Sequence, residues 1–249
     1  MGKADLHIHS GVGDGMASIP ELLDYVEEHT DLDVIAITDH DDIAGAYQAR
    51  ELAAKGRYRF QVVVGMEVST RAGHVLALFL EQPVSSLQLL EKTIKAVHAQ
   101  GGLCIAPHPL SWLTRSIGQS TLDRLAHRAI PGLHLDGIEM VTANLAGHVT
   151  HHKAKLLNER RYHLPETGGS DAHFLAQVGT GYTLFEGYTA EELRQSLLKG
   201  NTRAVTTCRV AFSDIGYSQI VEQQFKSLAV LPYQLIAKRL RRLRRYSYL

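Results

Sequence analysis

Two imidazoles stand one residue apart near the start of the chain, in Asp5-Leu6-His7-Ile8-His9-Ser10. On a strand, the period of two puts Asp5, His7 and His9 on one face and Leu6 and Ile8 on the other. Neighbouring imidazoles at a strand end can share one metal ion, with Asp5 orienting one of them from behind. A hydrogen-bonded polar pair is the competing reading of this motif taken alone. The pattern recurs, however. Ile35 to His40 ends an apolar run on Asp39-His40, Val62 to Glu67 ends the next on Glu67, and Gly73-His74 opens the one after. Cys104 to Pro109 ends on His108, and Glu166 to His173 ends on Asp171 and His173. Burying such groups together is costly unless cations neutralise them. One metal cluster accounts for them more economically than six separate structural roles.

The elements that must hold these residues are alternating strands and helices. Short apolar runs at 4–9, 34–38, 61–67, 74–80, 102–106, 136–141 and 164–168 predict strands, several of them covered on both faces. Helical patterns fall between them at 19–29, 43–54, 86–99, 122–128 and 149–161, the first opened by the capping box Ser18-x-x-Glu21. Repeated strand–helix units predict a parallel sheet. About seven units in roughly 210 residues fit a closed or distorted (β/α) barrel better than an open sheet. Most candidate ligands then lie just past the carboxyl ends of strands, where such barrels build their sites.

Residues 1–206 are expected to form this barrel, and residues 207–249 a helical extension bent at Pro232. The extension ends in Lys238-Arg-Leu-Arg-Arg-Leu-Arg-Arg245, with six cations and no acid. The 249 residues carry 26 basic and 26 acidic side chains, so the neutral total hides an acidic body and a basic tail. Leu228, Leu231, Leu235, Leu240 and Leu243 recur near helical spacing. Packing on the body, attraction to anionic membrane lipid, and binding of a partner or nucleic acid are the three readings of this tail. Two cysteines, Cys104 and Cys208, give neither a thiolate zinc cluster nor a disulfide framework. A start without an apolar leader and apolar runs too short to span a bilayer make a cytoplasmic protein the expectation.

The ordered set Asp5-Leu-His-Ile-His-Ser10, Thr38-Asp-His40, Gly65-Met-Glu67, His108-Pro109 and Ser170-Asp-Ala-His173 resembles the PHP (polymerase and histidinol phosphatase) superfamily. It looks most like the free-standing metal-dependent phosphoesterases, from about residue 3 to residue 206. The resemblance implies an α/β fold, a distorted (β/α)7 TIM-like barrel with a trinuclear metal site at its carboxyl face. By position, His7, His9 and Asp171 would bind the first metal, and Glu67 would bridge to the second. His108 and His74 would complete the second, while Asp14, His40 and His173 would hold the third. Asp14 sits in Gly11-Val-Gly-Asp-Gly15, whose glycines allow the tight turn that delivers it. Glu67, Asp171 and His173 are the candidates for direct roles in catalysis.

A cluster of His, Asp and Glu without thiolate suits two or three ions of Zn, Mn or Fe, with Mg fitting a more carboxylate-rich position. Adjacent divalent ions give a bridging hydroxide at neutral pH and clamp the oxygens of an in-line displacement at phosphorus. The expected substrate is a phosphate ester, with a nucleotide or nucleic-acid 5′-phosphate favoured over histidinol phosphate. Short nucleic acid is a further expected substrate. Arg115 is the candidate phosphate clamp, against a solvated surface arginine. Glu139 and Asn144 are candidates for contacts to substrate or behind the ligands, against structural roles. The helical pair His148 and His152 has no third ligand nearby and reads as a surface helix start. Two other functions compete. An amidohydrolase usually needs a bridging Lys in mid-chain, where this chain has Glu67. A catalytically idle metal-binding module is the other, and the full ligand set argues against it.

Overall fold

The computed structural model describes residues 1–56, 58–128, 130–142, 149–207, 210 and 215–237. It divides into two compact units, Met1–Val210 and Ala211–Leu249. In the first, strands β1 (Gly2–Ile8), β2 (Val34–Ile37), β3 (Gln61–Thr70) and β4 (Gly73–Leu78) are followed by β5 (Leu103–Ala106), β6 (Gly137–Thr142), β7 (Glu166–Gly169), β8 (Gly181–Phe185) and β9 (Arg203–Thr206). Helices α1 (Ile19–His29), α2 (Ala44–Ala53), α3 (Leu90–His98), α4 (Gln119–Arg128), α5 (His151–Leu157) and α6 (Ala190–Lys199) connect them.

The nine strands form one sheet in the order β7-β6-β5-β4-β3-β2-β1-β8-β9. The sheet curls into a nearly closed barrel, because the segment after β7 returns to the end of β1. Ile8 bridges Ala172, the His9 amide donates to the Ala172 carbonyl at 2.9 Å, and Thr183 Oγ1 exchanges hydrogen bonds with Gly168. The expected α/β barrel is present in distorted form.

The expectation of a parallel sheet needs correcting. The β1–β2, β2–β3, β5–β6 and β6–β7 pairs are parallel, but β4 is antiparallel to both neighbours, as are β8 and β9 to theirs. Only Arg71 and Ala72 separate β3 from β4, too short a link for a parallel crossover, so the pair is a hairpin. The reversal matters for the site. It brings the first residues of β4, His74 among them, to the end where the parallel strands finish.

Both faces of the sheet are buried. In β2, Ile35 and Ile37 join the larger apolar cluster with α1, α2 and α3, while Val34 and Ala36 pack with Leu76, Ile105, Phe185, Leu193 and Leu197. This explains the near-continuous apolar strands. Helix α1 buries Ile19, Leu22, Leu23 and Val26 at helical spacing, and both the amide and the hydroxyl of Ser18 donate to Glu21 Oε2. In the second unit, α7 (Tyr217–Phe225) runs into a π-helical turn at Lys226–Val230, and helix resumes at 231–237. That turn ends two residues before Pro232, whose missing amide removes a donor from the helical ladder. The basic run Lys238–Arg245 lies outside the described residues. No described helix is long and apolar enough to cross a membrane.

Candidate metal centre

All nine proposed ligands converge at the carboxyl end of the parallel strands. Glu67, near the end of β3, is the hub. Its Oε1 lies 2.8 Å from His74 Nδ1 and 3.1 Å from His108 Nε2. Its Oε2 lies 3.0 Å from His40 Nδ1 and 3.4 Å from both His7 Nε2 and His9 Nε2. The loop after β7 adds Asp171, whose Oδ1 is 3.4 Å from His7 Nε2 and 3.2 Å from His9 Nε2. The glycine-rich loop after β1 adds Asp14, 3.6 Å from His9 Nδ1 and 3.4 Å from His173 Nε2.

These donors fall into four overlapping groups, each with its atoms within 4.8 Å of one another. They are His7, His108 and Asp171; His7, His9 and Glu67; His40, Glu67 and His74; and His9, Asp14, His40 and His173. His40 thus reaches the Glu67 side of the site as well as the Asp14 side. Two of the candidate ligands have backbone in the left-handed region, His108 (φ 31°) and Asp171 (φ 51°). Such conformations cost energy in non-glycine residues and persist where surrounding structure enforces them, as at functional sites.

Groups behind the ligands fix their direction. Glu139 accepts from His7 Nδ1 at 3.1 Å and from the His108 amide at 2.8 Å, so His7 turns its Nε2 into the cluster. Ser116 Oγ meets His108 Nδ1 at 2.7 Å and leaves Nε2 facing Glu67. Asp5 acts otherwise than expected. It accepts from the backbone amides of His7, Ser170 and Gly179, pinning β1 to the loops after β7 rather than orienting an imidazole. Its side-chain reach is spent on these amides.

Gly169 had no role in the sequence pattern, and Asp39 entered it only as part of the Asp39-His40 strand end. Asp39 accepts from the amide and hydroxyl of Ser10, both at 2.6 Å, and holds the loop that carries Asp14. Burial pushes its carboxyl up to about 7. Its neighbours Gly13 and Gly45 are required: a Cβ at either would lie 2.7 or 2.3 Å from its carboxylate oxygens. The Thr38-Asp39-His40 motif contained the signal, but adjacency to His40 suggested no separate contact. Gly169 has no Cβ because one would lie 2.6 Å from His7 Cβ and 2.7 Å from Glu139 Oε1. Gly169→Ala should therefore displace His7, cutting bound metal and turnover at least about tenfold and costing about 1–3 kcal/mol of stability. Metal analysis and thermal melting check this; unchanged metal content would refute it.

The electrostatics test whether metal ions fit. His9 Nδ1 and both oxygens of Asp14 are buried with no hydrogen-bond partner. Orphans of this kind are rare in a folded core unless an ion satisfies them. The His7 and His9 Nε2 atoms approach to 3.3 Å, and both face the carboxylates of Glu67 and Asp171. Burial works against ionisation of Glu67, yet His40, His74 and His7 hold its carboxyl well below the usual range. Burial likewise opposes charge on His7, but Asp171, Glu139 and Glu67 raise its pKa well above that of a free imidazole. His40 is lowered to about 4, chiefly by burial. Carboxylates that stay ionised among inward-facing imidazoles are able to bind divalent cations, and among the described residues none of these donor groups includes a thiolate.

Two substrate candidates fare differently. Arg115 lies in the loop after His108, where its backbone carbonyl accepts from the His74 amide at 2.8 Å. Its guanidinium donates to the Thr70 carbonyl at 3.1 Å. Asn144 and His148 lie outside the described residues.

Comparison with known proteins agrees with this geometry. Residues 5–173 match the PHP domain, and residues 157–202 match the PHP-associated family. An uncharacterized protein of Methanocaldococcus jannaschii is 34% identical over 151 residues, 57% of this chain and 82% of that one. A phosphoribosyl 1,2-cyclic phosphate 1,2-diphosphodiesterase of Eggerthella lenta is 35% identical over 102 residues, 38% of each chain. A 5'-3' exoribonuclease of Haemophilus influenzae is 34% identical over 99 residues, 38% of this chain and 35% of that one. Among solved structures, a two-domain protein from Bacteroides vulgatus containing a predicted PHP-like metal-dependent phosphoesterase superposes with a TM-score of 0.64 at 21% identity. That match covers 82% of this chain and 64% of the other and shows a shared fold. With the family matched across all nine candidate ligands, the chain belongs to the PHP family.

Proposed function

We propose that the chain is a metal-dependent phosphoesterase acting on phosphate esters of the nucleotide or nucleic-acid 5′-phosphate type, through a trinuclear centre. The observation that carries this reading is Glu67, whose two oxygens face five inward-pointing imidazoles. Adjacent divalent ions, when bound, acidify water and neutralise the charge that develops on phosphate. His7, His9, Glu67 and Asp171 would hold the first ion, Glu67, His74 and His108 the second, and Asp14, His40 and His173 the third. Glu139 and Ser116 keep His7 and His108 in the tautomers that turn Nε2 inward. Arg115, on the loop beside His74, is the side chain we assign to the substrate phosphate, by exchange of its Thr70 contact. No serine or cysteine nucleophile is needed.

Two relatives support the substrate class, since their names denote phosphodiester cleavage in a ribosyl cyclic phosphate and in RNA. The test is a substrate panel run with Mn or Zn. It spans nucleoside mono- and bisphosphates, short oligonucleotides, histidinol phosphate and an amide series. Nucleotide or oligonucleotide phosphate should be cleaved most rapidly and amides left intact. Preference for histidinol phosphate would overturn the substrate class, and amide cleavage the reaction class.

A further inference from the structure

At the amino ends of β5 and β6, away from the carboxyl-end cluster, stands a second convergence of donors. His98 closes α3, and His134 and Asp136 lie just before β6. His98 Nε2 is 2.8 Å from Asp136 Oδ2, and His134 Nε2 is 3.3 Å from Asp136 Oδ1. The two rings are 4.8 Å apart, and the three donor atoms lie within 4.8 Å of one another. These separations are near the edge of a tetrahedron with zinc–ligand bonds of about 2.0–2.2 Å.

The hydrogen bonds around the group point to a cation. His98 Nδ1 lies 3.2 Å from the Gly132 carbonyl, the partner a metal-bound imidazole commonly uses to fix its tautomer. With that bond made, the Nε2 lone pair of neutral His98 points at a carboxylate oxygen, which is repulsive unless a proton or a metal ion lies between them. The buried Asp136 is itself oriented, since its Oδ2 accepts from the Cys104 amide at 2.7 Å. Donation of a hydrogen bond to Asp136 raises the His98 pKa, so a positive charge is favoured at this point. A proton serves one imidazole. The approach of a His134 nitrogen to the other carboxylate oxygen is then a second, separate contact, whereas one metal ion engages all three groups at once. The His134 side chain is 61% exposed, so a fourth position opens to solvent.

We infer that His98, His134 and Asp136 form a separate site for one zinc-type divalent ion, which fastens the end of α3 to the entry of β6. The experiment uses the full chain with its carboxyl-end centre already loaded, and adds Zn2+ under equilibrium dialysis with metal counting. The parent should take up one further equivalent, and His134→Ala should weaken that uptake by about tenfold or more. Because His134 is exposed, the variant should fold, and its phosphoester hydrolysis should match the parent. At about a hundredfold excess of Zn2+ over Kd, the parent should gain on the order of 5 °C in melting temperature, and the variant should not. His98→Gln, which keeps a polar side chain beside Asp136, should lose the same equivalent. Equal uptake by parent and variants, or no further equivalent in the parent, overturns the proposal and leaves an imidazolium–carboxylate pair. Failure here leaves the carboxyl-end centre untouched, since that centre is counted before Zn2+ is added.

Discussion

Glu67→Gln should lower kcat for phosphoester hydrolysis by at least about a thousandfold, with little change in the far-ultraviolet circular dichroism of the metal-free protein. The substitution keeps the shape of the side chain and changes its charge and one of its oxygens. Glu67 meets His74 and His108 through one oxygen and His40, His7 and His9 through the other. An amide presents one acceptor and one donor, so one side of this hub turns N–H groups toward imidazole nitrogens that must themselves offer lone pairs. The charge is lost as well, and it is a full one, because the surrounding imidazoles keep Glu67 ionised in spite of its burial. Bound metal should fall by at least one equivalent, read by mass spectrometry. His9→Ala and Asp171→Ala should have the same consequence, since each lines a group that includes His7. Full activity in the Glu67→Gln variant would remove Glu67 from the centre and with it the bridging role proposed above.

The convergence of the candidate ligands was legible because they carry chemistry in their residue types and sit at strand ends, and both properties survive in a bare sequence. His7 and His9 share a site as the period of two required. His74 had the weakest motif, and its place became intelligible only through the reversal of β4. A hairpin link of two residues held that signal, but the apolar run of β4 reads the same in either direction. Strands β8 and β9 escaped notice for a related reason. Gly181–Phe185 alternates between buried and half-buried positions, and Arg203–Thr206 is a short edge strand with exposed ends and only Ala204 and Val205 half-buried. Neither gives the continuous apolar run of the central strands. Contacts made across the fold were beyond sequence spacing altogether. Glu139 was a candidate for a contact behind the ligands, but its partner His7 lies 132 residues away, and Asp5 reaches Gly179 over 174. Gly169 is required by the approach of His7, which no local pattern encodes.

Removing the metal should lower the melting temperature at pH 7 by on the order of 10 °C, together with complete loss of hydrolysis, and re-adding Mn or Zn should restore both. The size follows from linkage, since each ion held at a hundredfold excess over its Kd contributes about 2.7 kcal/mol. The size should also depend on pH in a direction the site dictates. Without metal, protons are the remaining counter-cations for Asp14, Asp171 and Glu67. Burial opposes charge on His173, but Asp14 raises its pKa to about 9. A folded-state pKa above the unfolded value of about 6.5 means stability that is complete below pH 6.5 and lost as pH rises through about 9. The metal-free protein should therefore weaken between pH 6.5 and 9, whereas the loaded protein keeps its counter-cations. The difference in melting temperature should widen across that window. On the acid side, protons compete for the imidazoles, so metal should dissociate below about pH 6 and the two melting curves should merge. A difference that stays constant from pH 6.5 to 9 would mean that His173 holds no proton in the metal-free cluster. The Asp14–His173 pair would then have to be rebuilt as a neutral contact, and Asp14 would need a cation from elsewhere.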